Sequence, residues 1–242
     1  MKIFKLVIVG ILIIVLPVSF YLYNRFSYVN EESYNAILNN RDSTLSIGII
    51  GDSWAVGGEL DAILSKSLAV KGIDVKVISA GHPGAKSKAI YKNMFADHSA
   101  ANSSHAVLET NPEYCIVFAG VNDATGQLGP NFYAHHMTLI IKALKHYNIK
   151  PIILELPEFG IVEYINQEGF AGNRYKAFAY FTNSGEIDNI HTYRAALQER
   201  LKSENLVNDI LFVDFDQICA DSQIAGQFLQ ISHTCQQKEK TY

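Results

Sequence analysis

The chain has 242 residues, of which 48% are hydrophobic and 18% charged, and its formal net charge is −4. This length and balance predict one medium-sized globular domain with a sizeable core and exclude an intrinsically disordered chain. The charged residues form no basic stripe, so the composition argues against nucleic acid as a partner.

The N-terminal end of the chain differs from the rest. Lys2 and Lys5 precede a long apolar run whose length is about that needed to cross ~30 Å of hydrocarbon. Lysines on the N-terminal side favour a cytoplasmic N-terminus, and the run is not followed by a small-residue cleavage pattern. We expect an uncleaved transmembrane signal anchor at 1–25, a juxtamembrane linker at 26–43 and a domain at 44–242 outside the cytoplasm. A cleaved signal peptide is the alternative.

Strand-like and helical patterns alternate after the linker. Short apolar runs typical of buried strands lie at 45–50, 75–78, 114–119, 151–156 and 210–214. Apolar residues at helical spacing lie between them, at 60–68, 87–95, 132–147 and 189–203. Such alternation predicts an α/β fold with a parallel sheet and helices on both faces. The aromatic-rich stretch 158–189 is expected to be either a packed surface excursion or a lid over the substrate.

The first three predicted strands end in residues suited to acyl transfer. The first strand delivers Ser53 to a tight turn, which exposes a hydroxyl and a backbone N–H. Gly81 ends the second strand, and Asn122 follows the third. Because the carboxyl ends of parallel strands share one rim, the N–H groups of Ser53 and Gly81 and the Asn122 amide are expected to form an oxyanion hole. Trp54, beside the serine, is expected to serve packing.

These residues resemble the conserved blocks of the SGNH (GDSL-type) hydrolase family of esterases and lipases. The run 51–54 reads Gly-Asp-Ser-Trp, Gly81 fits the second block although Ser79 replaces its usual asparagine, and 120–123 reads Gly-Val-Asn-Asp. The resemblance implies a flavodoxin-like three-layer α/β/α sandwich with a mostly parallel five-stranded sheet. It also implies ester hydrolysis without metal or cofactor, with an acyl-enzyme on Ser53.

The fourth block of the family, Asp-x-x-His, is altered in this chain. The histidine that fits is His233, but the position three before it holds Gln230. A glutamine carbonyl can fix the imidazole tautomer but does not stabilise an imidazolium as a carboxylate does. The chain therefore has three explanations: a Ser53–His233 dyad oriented by Gln230, a carboxylate supplied from elsewhere, or a weak or inactive site. The nearby carboxylates are Asp221, Asp216 and Asp214.

The cysteines and the His135–His136 pair give no sign of a metal site. Cys115 lies in a strand-like run and is expected to be a core thiol. Cys219 and Cys235 can pair in an oxidising compartment, which would contribute ~3 kcal/mol. His135 and His136 are expected on a solvent-facing or ordinary helix face.

The sequence thus predicts a membrane-anchored serine ester hydrolase whose substrate is an acyl ester. Removal of O-acyl groups from cell-envelope glycans or lipids fits the family and the expected topology. An O-acyltransferase would use the same residues, with a sugar hydroxyl in place of water. There are two non-enzymatic alternatives. One is a catalytically weak or inactive binding module, and the other is a scaffold within an envelope complex.

Overall fold

The computed structural model describes residues 2–34, 44–56 and 60–214. The chain separates into a unit at Met1–Glu32 and a second unit at Ser33–Tyr242. The first unit contains helix α1 (Lys2–Phe26), and the assignment of 1–25 as a transmembrane anchor stays a prediction. Within the part of the chain that was described, no helix is long and apolar enough to cross a membrane.

The second unit is built on a parallel sheet, as the sequence predicts. Its described strands are β1 (Leu45–Gly51), β2 (Val75–Gly81), β3 (Tyr114–Phe118), β4 (Lys150–Leu154) and β5 (Leu211–Val213). The strand order is β2-β1-β3-β4-β5, and every neighbouring pair is parallel. This is the flavodoxin-like order, in which ligands bind at the carboxyl ends of the strands. Gly51 at the end of β1 lies opposite Gly81 on one side and Phe118 on the other.

Helices connect the strands. In the described part of the unit they are α2 (Leu60–Val70), α3 (Ser87–Asn93), α4 (His105–Glu109), α5 (Val121–Thr125), α6 (Pro130–His146), α7 (Ile161–Gln167), α8 (Phe170–Thr182) and α9 (Ile190–Ser203). Since β1 leads to β2 on one side and β2 leads across to β3 on the other, right-handed crossovers place α2 on one face and α3, α6 and α9 on the opposite face. Consistent with this, α6 packs against both α3 and α9. The expected three-layer arrangement follows.

The core forms where apolar strands meet this helix layer. Ile49, Ile50 and Val117 are fully buried, as expected for strands covered on both faces. Cys115 is buried and free, which confirms it as a core thiol, and burial raises its pKa to about 12. Gly48 leaves room for Val107, because a Cβ there would lie 2.7 Å from the valine Cγ1.

The stretch 158–189, expected to be either a packed surface excursion or a lid over the substrate, is largely helical. It contains α7 and α8, which pack against each other. Ile161 and Ile165, one turn apart, are buried, so tertiary packing stabilises a helix that its glycine-, asparagine- and aromatic-rich sequence does not favour by intrinsic propensity.

His136 was expected on a solvent-facing or ordinary helix face, and its side chain is fully buried in α6. Its Nδ1 lies 2.7 Å from the carbonyl oxygen of Phe132, one turn earlier, and therefore donates to it. Burial lowers the pKa of His136 to about 4, so the ring is neutral at physiological pH.

Tyr193 joins α9 to α5 and to the residue that precedes α6, and its loss should destabilise the fold. Its buried hydroxyl accepts a hydrogen bond from the Gly129 N–H at 2.7 Å and donates to the Asp123 carbonyl oxygen at 3.1 Å. Tyr193→Phe leaves a buried N–H unsatisfied, so we expect a loss of about 1–3 kcal/mol in the free energy of unfolding. Urea denaturation measures it. The control is Tyr180→Phe, since Tyr180 is 77% exposed and should be neutral; equal effects of the two substitutions would contradict the prediction.

Candidate functional site

The nucleophile predicted from the sequence lies on a short turn at the end of β1. Residues Ser53–Ala55 form one 3₁₀ turn, and the Ser53 side chain is exposed. Asp52 precedes the turn and is 1% exposed. Its Oδ1 accepts a hydrogen bond from the Trp54 N–H at 3.0 Å, which satisfies one of the free donors at the start of the turn. The turn therefore exposes a hydroxyl while its neighbouring carboxylate is directed inwards.

Two glycines allow this turn to fit between the ends of β2 and β3. A Cβ on Gly51 would lie 2.2 Å from the carbonyl oxygen of Phe118, and one on Gly81 would lie 2.2 Å from the backbone of Ala55 and Val56. Both contacts are with backbone atoms, which do not move aside as a side chain does. The sequence predicts that Gly81 supplies a backbone N–H to the oxyanion hole. In the structure, its absent side chain leaves space for the nucleophile turn itself.

Asn122 approaches the same turn from the end of β3. It lies on α5, which begins after Gly120, a residue with a φ of 115° that favours glycine. The Asn122 Nδ2 donates to Asp52 Oδ2 at 3.2 Å and to the carbonyl oxygen of Ala85 at 3.1 Å. The structure thus brings Asn122 into direct contact with the residue that precedes Ser53. Its role as an oxyanion donor stays a prediction.

A second buried carboxylate lies next to Asn122 in the chain. Asp123 is fully buried and accepts hydrogen bonds from the Ser87 N–H at 2.8 Å and the Ser87 Oγ at 2.6 Å. Burial raises the pKa of Asp123 to about 6. Burial also raises the pKa of Asp52 to about 6, and the negative charge of Asp123 adds to that shift. The nucleophile turn is therefore supported by two carboxyl groups that are costly to ionise.

The predicted catalytic base and most of its predicted orienters lie outside the described residues. These are His233, Gln230, Asp221 and Asp216, and Cys219 and Cys235 lie there as well. Asp214, the remaining carboxylate candidate, follows β5. The assignment of a base and an orienter therefore stays a prediction.

His82 is a further histidine beside the turn. Its backbone N–H donates to the Gly51 carbonyl oxygen at 3.0 Å, and its ring Nε2 lies 2.9 Å from the Ser104 Oγ. Burial lowers the pKa of His82. The hydrogen bond to Ser104 joins the end of β2 to the start of α4.

A small pocket adjoins the nucleophile turn at the carboxyl ends of β3 and β4. Trp54, Phe118, Leu154, Leu156 and Pro157 supply most of its wall, which is mainly apolar. It has about 20 Å³ of accessible space, which is room for a group about the size of one water molecule. Trp54 is 43% exposed and lines this pocket. The sequence prediction that Trp54 serves only packing is therefore incomplete.

Comparison with solved structures gives matches that their descriptions place among esterases and lipases of the SGNH and GDSL type. AlinE4, described as an SGNH-hydrolase family esterase, is 17% identical, with 83% of this chain and 98% of that chain covered and a TM-score of 0.47. The psychrotrophic esterase EstA from Pseudoalteromonas sp. is 15% identical over 74% of this chain and 82% of its own, with a TM-score of 0.47. A GDSL-like lipase from Bacteroides thetaiotaomicron is 15% identical over 71% and 69%, with a TM-score of 0.43.

Comparison with family models and with curated proteins gave no match. The family named for these solved structures is the one that the sequence blocks resemble. At such identities and TM-scores, the structural similarity does not by itself assign an activity to this chain.

Sequence reasoning missed the buried polar groups behind the turn. Asp52 and Asp123 stood inside the quoted blocks, but neither received a role, and Ser87 was assigned only to a helix. A signal was available for Asp52, because aspartate two residues before a backbone donor is the usual pattern of a side chain closing its own turn. The Asp123–Ser87 contact spans two elements, and the sequence pattern contains no sign of it.

The raised pKa of Asp52 predicts a pH-dependent effect of Asp52→Asn. A carboxyl group whose folded pKa is raised contributes stability below its unfolded pKa, and that contribution is lost as the pH rises through about 6. The stability advantage of the unmodified protein over Asp52→Asn should therefore shrink between pH 4 and 7. At about 1.4 kcal/mol per pKa unit, the change is up to about 3 kcal/mol.

The measurement is chemical denaturation of both proteins across this pH range. The free energies of unfolding of the two proteins must be subtracted, because His136 affects both of them. Its folded pKa is lowered to about 4, so its contribution to stability rises with pH in the same window. Asp188→Asn, a change of the same kind at an exposed position, is the control. A constant difference for Asp52→Asn would refute the prediction.

Proposed function

We propose that this chain is a serine ester hydrolase of the SGNH type. The observation that carries the proposal is the exposed Ser53 on a turn that Gly51 and Gly81 hold against the ends of two strands. The Asn122 amide reaches the same turn through its hydrogen bond to Asp52. A nucleophile needs such an exposed, fixed position beside hydrogen-bond donors.

In the proposed mechanism, His233 accepts the proton of the Ser53 hydroxyl as its oxygen attacks the ester carbonyl carbon. The negative charge on the carbonyl oxygen is stabilised by the N–H groups of Ser53 and Gly81 and by Asn122. The protonated histidine then gives its proton to the leaving alcohol, and an acyl-enzyme remains. Water, deprotonated by the same histidine, attacks the acyl carbon and releases the acid and free Ser53.

The hydrogen bonds of Asn122 constrain its part in this mechanism. Both protons of its amide are already donated, one to Asp52 and one to the Ala85 carbonyl oxygen. To stabilise the oxyanion, the amide must share one of these protons with the substrate. The longer of the two contacts, to Asp52 at 3.2 Å, is the one we expect to be shared.

The pocket beside Trp54 suggests the size of the acyl group. Its apolar wall and small volume fit a methyl group better than a long alkyl chain. We therefore expect short acyl esters, such as acetyl esters, to be preferred. O-acyl groups on cell-envelope glycans or lipids are the natural substrates that we propose.

Labelling by a fluorophosphonate probe, together with hydrolysis of p-nitrophenyl acetate and butyrate, tests the proposal. The unmodified protein should be labelled and should turn over acetate faster than butyrate. Ser53→Ala and His233→Ala should lose labelling and reduce turnover by at least ~10³-fold. The nucleophile and its base act together, so removing either one abolishes most of the catalysis. Ser203→Ala is the matched control, a serine at the end of α9, and should behave like the unmodified protein.

Substitution of Gln230, together with the labelling result, distinguishes an enzyme from a non-catalytic binding module. If a dyad operates without a carboxylate, Gln230→Asp should raise turnover, because loss of the triad carboxylate typically costs ~10⁴-fold. A protein that resists labelling, with turnover equal to that of Ser53→Ala, would instead indicate a binding module. An acyltransferase would show labelling together with transfer of the acyl group to an added sugar.

We further propose that the N-terminal segment at 1–25 anchors the chain in a membrane, with the N-terminus in the cytoplasm and the catalytic unit outside. The apolar run behind Lys2 and Lys5 supports this proposal, as do the exposed apolar side chains of α1, among them Ile13, Ile14 and Phe20. Such a topology would bring the site to envelope substrates.

Cell fractionation and protease accessibility test the anchor. The full chain should remain with the membrane after alkaline carbonate extraction, whereas a variant lacking residues 1–26 should not. Added protease should digest the unit at 44–242 in spheroplasts. Recovery of the full chain in the carbonate supernatant, or protection of the unit from protease, would contradict this topology.

A further inference from the structure

Two histidines and a glutamate meet on the flank of the second unit. His98 lies in the loop after α3, and His105 and Glu109 lie one turn apart on α4. Each offers a ligand atom, and these atoms all lie within 4.8 Å of one another. None of these three residues has a role in the proposed esterase mechanism, and all three lie well after the nucleophile block in the sequence.

The hydrogen bonds around His105 fix which ring nitrogen is free to bind. Its Nδ1 lies 3.1 Å from the carbonyl oxygen of Met94, which can only accept, so Nδ1 carries a proton. Nε2, on the other side of the ring, lies 3.4 Å from Glu109 Oε1 and is the nitrogen that faces the cluster. A backbone carbonyl behind a histidine is also the usual outer partner of a metal ligand.

The spacing of the three ligand atoms suits a small divalent cation. In a tetrahedral zinc site, ligand atoms about 2.0–2.1 Å from the metal lie about 3.3 Å apart. The His105–Glu109 distance of 3.4 Å matches this spacing. The His98 Nε2 lies 2.7 Å from the same carboxylate oxygen, at hydrogen-bond distance, so it must move outwards by about 0.6 Å to bind the ion. His98 is 52% and Glu109 42% exposed, so solvent reaches the site and can supply a fourth ligand.

We propose that His98, His105 and Glu109 bind one zinc ion, with water completing the coordination. A site of two imidazoles and one carboxylate binds zinc in preference to magnesium or calcium. The ion would connect the loop at 96–103 to α4, whose preceding residue Ser104 contacts His82. It would therefore act as a structural clamp beside the end of β2. The proposal is independent of the esterase assignment.

The experiment is a competition titration of the full chain with Zn²⁺ against a chromophoric chelator, together with thermal unfolding. Unmodified protein should bind one more Zn²⁺ than His98→Ala or His105→Ala, and Glu109→Gln should bind it more than about tenfold more weakly. Zinc should raise the melting temperature of the unmodified protein more than that of these variants. Circular dichroism checks that each variant is folded.

His191→Ala is the matched control, because His191 and Glu186 form an exposed histidine–glutamate pair of the same kind at 3.6 Å. Its zinc affinity should equal that of the unmodified protein. Cys219, Cys235 and His233 are retained in every variant, so zinc bound there cancels in the comparison. Unchanged zinc affinity in folded His98→Ala or Glu109→Gln would overturn the proposal, as would an equal loss in His191→Ala.

Discussion

The candidate site depends on backbone packed against backbone at the ends of three strands. Gly51 lies against the Phe118 carbonyl, and Gly81 lies against the backbone of Ala55 and Val56. These contacts leave the Ser53 turn a narrow range of positions, so the hydroxyl is placed by the sheet and not by a mobile loop. Sites built on rigid elements hold their geometry more accurately than sites on loops.

Much of this arrangement could be predicted from the sequence because it follows from local pattern. The strands that end at Gly51 and Gly81 are apolar runs, and parallel pairing then brings their ends to one rim. The tertiary environment was not predictable in the same way. His136 lies on a helix whose neighbours bury it, and the second acceptor oxygen of Asp52 is bound by Asn122, a residue of α5 that is distant in sequence.

Helices α7 and α8 show the same limit at the level of secondary structure. Their sequence is rich in residues with low helix propensity, and propensity is overridden when an apolar pair such as Ile161 and Ile165 can be buried. His233 and Gln230 lie outside the described residues, so the motif at which the chain departs from the family pattern is known from the sequence alone. The fold and the nucleophile turn thus have structural support that the base does not.

The buried carboxyl groups behind the turn have a consequence for the evolution and engineering of this protein. At neutral pH, Asp52 and Asp123 are held ionised against the cost of their burial. That cost is a permanent reduction in fold stability at the position where the site is organised. Selection for thermal tolerance alone would therefore tend to replace these carboxylates with neutral side chains. At Asp52 the same change would remove one of the two acceptors that orient the Asn122 amide, so robustness and activity are opposed at this residue.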